Sequence, residues 1–143
     1  MPSLFLDTNI LIDLVARSRP AHEDAARLVA AALAQGWTLH ASVASFKDVY
    51  FVYERHHGTE AQARQAIKLL RRIAEPVALD AGMLDDALES DEPDLEDGMV
   101  RAAAEALGDT AIVSRDSAAF AGSTIPRLDA CGAYALVVDA AGA

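Results

Sequence analysis

Apolar and polar positions along the chain alternate between two periods, and the alternation predicts the elements. "SLFL" at residues 3–6 is a short apolar run that ends in Asp-Thr-Asn and reads as a buried strand. Ile10, Leu11, Leu14 and Val15 then recur at helical spacing, predicting a helix from Ile10 to about Ala16. Pro20 opens a second helix through "AHEDAARLVAAALAQ", stopped by Gly36. "WTLHAS" alternates as a strand, and a helix follows from Val43 to His57, ending at Gly58. Thr59 with Gln62 three residues on makes a capping box for a helix through Ile73. "PVALD" reads as a third strand and Ala81–Glu89 as a short helix. After the acidic turn "SDEPDLED", a helix over Leu95–Leu107 stops at Gly108. "TAIVS" is a fourth strand ending at Arg115-Asp116, with a short helix through Phe120 behind it and "IPRL" as an edge strand. In residues 130–143, "YALVV" fits a strand or the end of a helix.

Strands that alternate with helices predict a mostly parallel sheet inside a three-layer α/β/α sandwich. With no repeat, low-complexity tract or long linker, residues 1–143 read as one domain. Right-handed crossovers bring the carboxyl ends of the strands to one edge, where ligand sites of such sheets lie.

Composition narrows the picture less than position does. Apolar residues make up 52% of the chain and aromatics only 6%, so the core is mostly Ala, Leu, Val and Ile. No apolar run reaches membrane-span length, and no basic region precedes the first apolar residues, which speaks against a signal peptide. The lone Cys131 excludes an internal disulfide framework and fits a cytoplasmic location. A formal net charge of −10 argues against a non-specific nucleic-acid binder, yet carboxylates gathered around cations give the same count.

Carboxylate positions carry more. Asp7 follows the first strand and Asp116 the fourth, so both face the same edge. Asp48 lies about two turns into the helix after the second strand, amid Phe46, Val49, Tyr50 and Val52. Its neighbour Lys47 points about 100° away around the helix. Asp94 is the N-cap candidate of the Leu95–Leu107 helix, which puts Asp97 at its third position. Each residue alone is explained by capping or by the helix dipole. Together, four acids from four separate places reach one edge, where like charges raise one another's pKa unless cations relieve them. An all-oxygen set suits Mg²⁺ or Mn²⁺, and the four histidines show no zinc spacing.

In "LFLDTNILIDL", "SVASFKDVYFV", "DLEDGMVRAAAEALGDTAIVSRDSAAF" and "IPRLD", in that order, the chain resembles the PIN-domain nucleases, including the VapC-type toxins of toxin–antitoxin modules. The resemblance implies a metal-dependent endoribonuclease, the toxin of a type II toxin–antitoxin pair. Asp7, Asp48, Asp97 and Asp116 are then its catalytic, metal-binding quartet. Asn9 and Ser114 match polar positions supporting those ligands, and Asp94 a supporting or capping one. The chain departs from the pattern at Asp48, where Glu is usual, and in its ending "DACGAYALVVDAAGA". The implied partners are an RNA substrate, a cognate antitoxin that covers the acidic groove, and a second copy in a homodimer. "ERHHG" at Glu54–Gly58 and the cluster Lys68, Arg71 and Arg72 can flank the site and hold phosphates. A solvated helix face accounts for that cluster equally well.

Other α/β readings fare worse. A receiver domain needs paired acids after the first strand and a Lys after the last. A haloacid-dehalogenase-type phosphatase needs Asp at position 9, and neither GxGxxG nor a P-loop is present. The alternative that keeps the fold is a PIN-like RNA-processing or non-catalytic RNA- or protein-binding module.

Overall fold

Strand β1, Ser3–Leu6, is buried along its whole length, and its alternation sorts the core into two halves. The computed structural model describes residues 2–142. Leu4 and Leu6 point into one apolar cluster with Ile10, Leu28, Val49, Leu70 and Val137. Phe5 points the other way, with Val100, Ala103, Ile112 and Phe120.

Five helices supply the first cluster: α1 (Thr8–Val15), α2 (His22–Ala34), α3 (Val43–His56), α4 (Glu60–Ile73) and α7 (Ala130–Ala141). The second lies under α5 (Ala81–Glu89) and α6 (Leu95–Leu107). Between them stands one sheet with β2 (Thr38–Ser42), β3 (Glu75–Val77), β4 (Ala111–Val113) and β5 (Arg127–Leu128), in the order β3-β2-β1-β4-β5. Every pairing is parallel, as in Phe5 opposite both His40 and Ile112. The expected three-layer α/β/α sandwich is therefore the fold. No helix among the described residues is long and apolar enough to cross a membrane.

Local signals account for most boundaries. The Thr59–Gln62 capping box forms with both its hydrogen bonds. Gly36 and Gly108 end α2 and α6 with φ of 76° and 68°, the left-handed conformation that glycine adopts without Cβ strain.

Several expectations are corrected. Helix α1 begins at Thr8, because Asp7 caps it, and α2 begins at His22, two residues after Pro20. The third strand is Glu75–Val77; Asp80, expected at its end, accepts the Met83 N–H and caps α5 instead. The edge strand shrinks to Arg127–Leu128. No helix runs through Phe120: the segment is a turn, with Phe120 at φ 69° and its N–H donated to Glu92 Oε1 at 2.6 Å. A partner 28 residues away fixes that turn. The ambiguous tail is helix α7, opened by Asp129, whose side chain accepts the Gly132 N–H at 2.7 Å.

Candidate active site

Asp7 stands where β1 ends, its N–H donated to the Val113 carbonyl of β4 at 3.0 Å. Pairing with the neighbouring strand thus continues one residue past β1 and fixes the carboxylate at the carboxyl edge. Oδ1 accepts the Thr8 N–H at 2.8 Å as the α1 cap, and Oδ2 accepts the Ser114 hydroxyl at 2.7 Å. Asn9 Nδ2 reaches Ser114 Oγ at 3.2 Å and Asp7 Oδ2 at 3.4 Å. Its Oδ1 accepts the Arg115 N–H at 3.2 Å. Ser114 Oγ also takes the Asp116 N–H at 3.1 Å. One buried hydroxyl therefore ties Asp7, Asn9 and the loop carrying Asp116 into one unit. Burial raises the Asp7 pKa against the lowering bonds from Ser114 and Thr8, and Asp116 and Asp94 raise it further.

Asp97 comes from the opposite layer. Asp94 caps α6 by accepting the Asp97 N–H at 2.8 Å, which turns the first helical turn toward the sheet edge. Gly98 permits the approach, since a Cβ there would lie 2.9 Å from both Ala87 Cβ and Ser90 Oγ of the α5 segment. Asp97 is buried, and among the described residues its Oδ2 has no hydrogen-bond partner. Its carboxyl is pushed up to about 7, first by burial, then by Asp94, Asp7, Asp116 and Glu92. The favourable helix dipole at this position is outweighed.

Asp7, Asp97 and Asp116, three of the four acids expected together, act on one another electrostatically, and Asp94, expected as a supporting or capping residue, adds to them. Asp116 is half-buried, and its Oδ1 accepts the Ala118 N–H at 3.0 Å. Asp48 is set apart. It is 40% exposed, with Lys47 Nζ 3.9 Å from its Oδ1, so the neighbour expected to point away does approach it. Its link to the site runs through a residue that the sequence reading missed, Glu96. Glu96 Oε1 accepts the Thr8 hydroxyl at 3.2 Å, and that hydroxyl is 2.7 Å from Ser45 Oγ, so α1, α3 and α6 meet there. Although much of Glu96 faces solvent, its pKa is raised, first by burial and then by Asp48, Asp7 and Asp94, against the lowering Thr8 bond. Its place beside Asp97 in the α6 first turn was the available signal.

Two buried acids brace this edge and were also missed. Asp13 takes Arg19 Nε on Oδ1 and Arg115 Nε on Oδ2, each at 2.7 Å, locking α1 to the residue after Ser114. Glu92 takes Arg101 Nη1 at 3.0 Å besides the Phe120 N–H, and Arg101 Nη2 donates to the Gly122 carbonyl at 2.6 Å. The signal for Asp13 was an acid inside an apolar helix, which requires a partner.

Among the described residues no three His, Cys, Asp or Glu side chains already enclose a common point as ligands to an ion. The donor chemistry nevertheless fits a hard divalent cation: carboxylate oxygens of one sign, one of them buried and unpartnered.

A family model described as PIN domain matches residues 3–118. The chain belongs to the PIN-domain family. No curated protein matches the sequence of this PIN domain. It is similar in structure to Mycobacterium tuberculosis VapC20, described as a Sarcin-Ricin loop cleaving toxin, with TM-score 0.64 and 17% identity over 76% of this chain and 86% of that one. Rickettsia felis VapBC2, solved bound to a DNA fragment from its promoter, gives TM-score 0.63 and 15% identity over 89% and 98%. A Klebsiella pneumoniae toxin–antitoxin complex gives TM-score 0.64 and 20% identity over 89% and 97%. At these identities the likeness is one of fold.

Proposed function

We propose that this PIN domain is a metal-dependent endoribonuclease of the cytoplasm and the toxin of a type II toxin–antitoxin pair. The observation that carries the reading is the unpartnered, buried Asp97 Oδ2 among Asp7, Asp94 and Asp116, a concentration of negative charge that a cation would neutralise. Asp7, Asp97, Asp116 and Asp48 would hold Mg²⁺ or Mn²⁺, with Glu96 contributing at the Asp48 side. When bound, such an ion lowers the pKa of water and stabilises charge on the attacked phosphate and the leaving oxygen.

The chain's own residues do the positioning. Ser114 and Asn9 hold Asp7 Oδ2 in one orientation, so little reorganisation is needed when a cation or phosphate arrives. Asp94 fixes the first turn of α6 and with it Asp97. The Asp13–Arg115 and Glu92–Arg101 pairs hold the loop of Asp116 from both sides. The toxin role is supported by the similar structures being a toxin and toxin–antitoxin complexes. A cognate antitoxin, covering the acidic edge with a basic side chain, and a homodimer belong to the same reading.

The test is cleavage of end-labelled structured RNAs with Mg²⁺, with Mn²⁺ and with EDTA, beside Asp7→Asn. Metal-dependent cleavage that the substitution abolishes is expected. Neither cleavage of any RNA nor metal binding by calorimetry would leave only a PIN-like binding module.

A further inference from the structure

Away from Asp7, Asp97 and Asp116, the surface between α3 and α4 sets exposed apolar side chains among basic ones. A cavity of about 870 Å³ lies there, floored by Val43, Phe46, Tyr50, Phe51, Ile67 and Pro76. Val43 and Phe51 are 50% and 57% exposed, large apolar groups left to water. Around this floor stand Lys47, Arg64, Lys68, Arg71 and Arg72, five of the 12 basic residues of a chain whose net charge is −10. Four of them recur at helical spacing along one side of α4.

Most other cations are already engaged. Arg19 and Arg115 hold Asp13, Arg101 holds three acids, Arg127 donates to the Ser114 carbonyl and Arg27 lies over the Tyr134 ring. Within the groove, Arg64 pairs with Glu60 at 3.1 Å and Arg71 with Glu75 at 3.9 Å. Among the described residues, Lys68 and Arg72 have no acidic partner within 4.0 Å. Unpaired cations beside an apolar floor call for an anionic occupant that also carries apolar faces.

We infer that this groove holds a single-stranded segment of RNA on its way into the acidic edge, an inference that rests on the ribonuclease reading. Phosphates are repelled by the acidic edge itself, so affinity must come from cations beside it. The groove reaches the Asp48 side of that edge: Lys47 belongs to the groove, and its Nζ lies 3.9 Å from Asp48 Oδ1. Its aromatic floor discriminates against a duplex, whose base faces are hidden, and favours bases free to stack. Tyr50 and Phe51 pack edge to face at 5.2 Å between centroids, which leaves the exposed Phe51 ring braced for such stacking. An acidic peptide would satisfy the charges, but only the nucleic acid also explains why the groove adjoins a site for phosphates.

The test measures binding of a fluorescein-labelled oligouridylate by anisotropy with Mg²⁺ present, in the uncleaving Asp7→Asn background. Adding Lys68→Glu and Arg72→Glu should weaken binding at least tenfold. It should also flatten the slope of log affinity against log salt by about 1.4, since each single-strand phosphate contact contributes about 0.7. Phe51→Ala should weaken binding about fivefold or more, by loss of one stacked base. Arg17→Glu, at an exposed cation outside the groove, should change affinity by less than about twofold, the loss of only long-range, salt-screened attraction. Circular dichroism of each variant separates lost binding from lost folding.

Equal affinity and slope in the Lys68/Arg72 variant would overturn the inference. So would a poly-glutamate peptide that binds the groove while the oligonucleotide does not, or a dimer that dissociates on Phe51→Ala with RNA binding untouched. If the ribonuclease reading alone fails, the wild type binds the oligonucleotide through these residues yet cleaves no RNA. If the track alone fails, RNA is cleaved with no dependence on Lys68 or Arg72.

Discussion

Replacing Asp97 by Asn is expected to raise the melting temperature of the metal-free protein at pH 8 and to abolish RNA cleavage. The magnitude follows from the carboxyl's displacement from 3.8 to about 7, caused first by burial and then by Asp94, Asp7, Asp116 and Glu92. Below pH 4 the group is protonated in both folded and unfolded chains and costs nothing. Between pH 4 and 7 the unfolded chain releases the proton while the folded one keeps it, so stability falls as pH rises. Above pH 7 the folded carboxyl ionises too, and the whole cost is present. About three units at ~1.36 kcal/mol each give an upper bound of about 4 kcal/mol. Relaxation and water entry into the site reduce this to about 2–4 kcal/mol.

In a chain of 143 residues, ~1 kcal/mol moves the melting temperature by roughly 3–4 °C, so the gain is roughly 6–16 °C. The Asp97→Asn variant retains the backbone N–H that Asp94 accepts, so the α6 cap survives the substitution. The assay is thermal unfolding by circular dichroism in EDTA at several pH values from 5 to 8, for both proteins. The difference should widen with pH and narrow when millimolar Mg²⁺ or Mn²⁺ is added, because wild type, with its full set of carboxylates, is stabilised more by the ion. An Asp97→Asn variant that melts no higher than wild type at pH 8, or a difference independent of pH, would refute the electrostatic account.

Three further outcomes test the surroundings of Asp97. Ser114→Ala removes the hydroxyl that lowers the Asp7 pKa, so the acid limb of the cleavage profile should move to higher pH and stability should fall by about 1–3 kcal/mol; an unmoved acid limb in a destabilised protein would reduce Ser114 to packing. Glu96→Gln should weaken Mg²⁺ or Mn²⁺ binding in calorimetry by about tenfold, the scale of a lost supporting contact, while unchanged affinity would place Glu96 outside the metal's reach. Arg101→Ala leaves Glu92, 1% exposed, without its cation and should cost about 3 kcal/mol in urea unfolding, with faster hydrogen exchange at the Phe120 amide. A cost under about 1 kcal/mol, the range of an exposed pair, would show that the loop of Asp116 is held by other contacts.

The fold was legible wherever a short window carries its own physics. Ser3–Leu6 needed only three apolar positions before a polar stop, the α4 start needed only Thr59 and Gln62, and the α6 cap needed only Asp94. Where the deciding partner is distant, the window misled. Helical periodicity through Phe120 gives way to a turn because Glu92 takes its N–H, and Glu92 is buried there only because Arg101 neutralises it. The Asp13 carboxylate likewise has, besides the nearby Arg19, a partner 102 residues along the chain in Arg115.

The edge that gathers the acids was predictable from topology, but topology ranks carboxylates by strand ends and cannot rank neighbours within one helical turn. Asp97 was singled out by the resemblance of "DLED" to the PIN-domain pattern, and Glu96 beside it was passed over. Glu96 is tied to α1 by the Thr8 hydroxyl it accepts, and that hydroxyl in turn meets Ser45 of α3. The Glu96 pKa is raised first by burial and then by Asp48, so a second carboxylate lies near the corner where the sequence offered only an acid one methylene shorter than usual. The negative charge at that corner is therefore divided between α3 and α6.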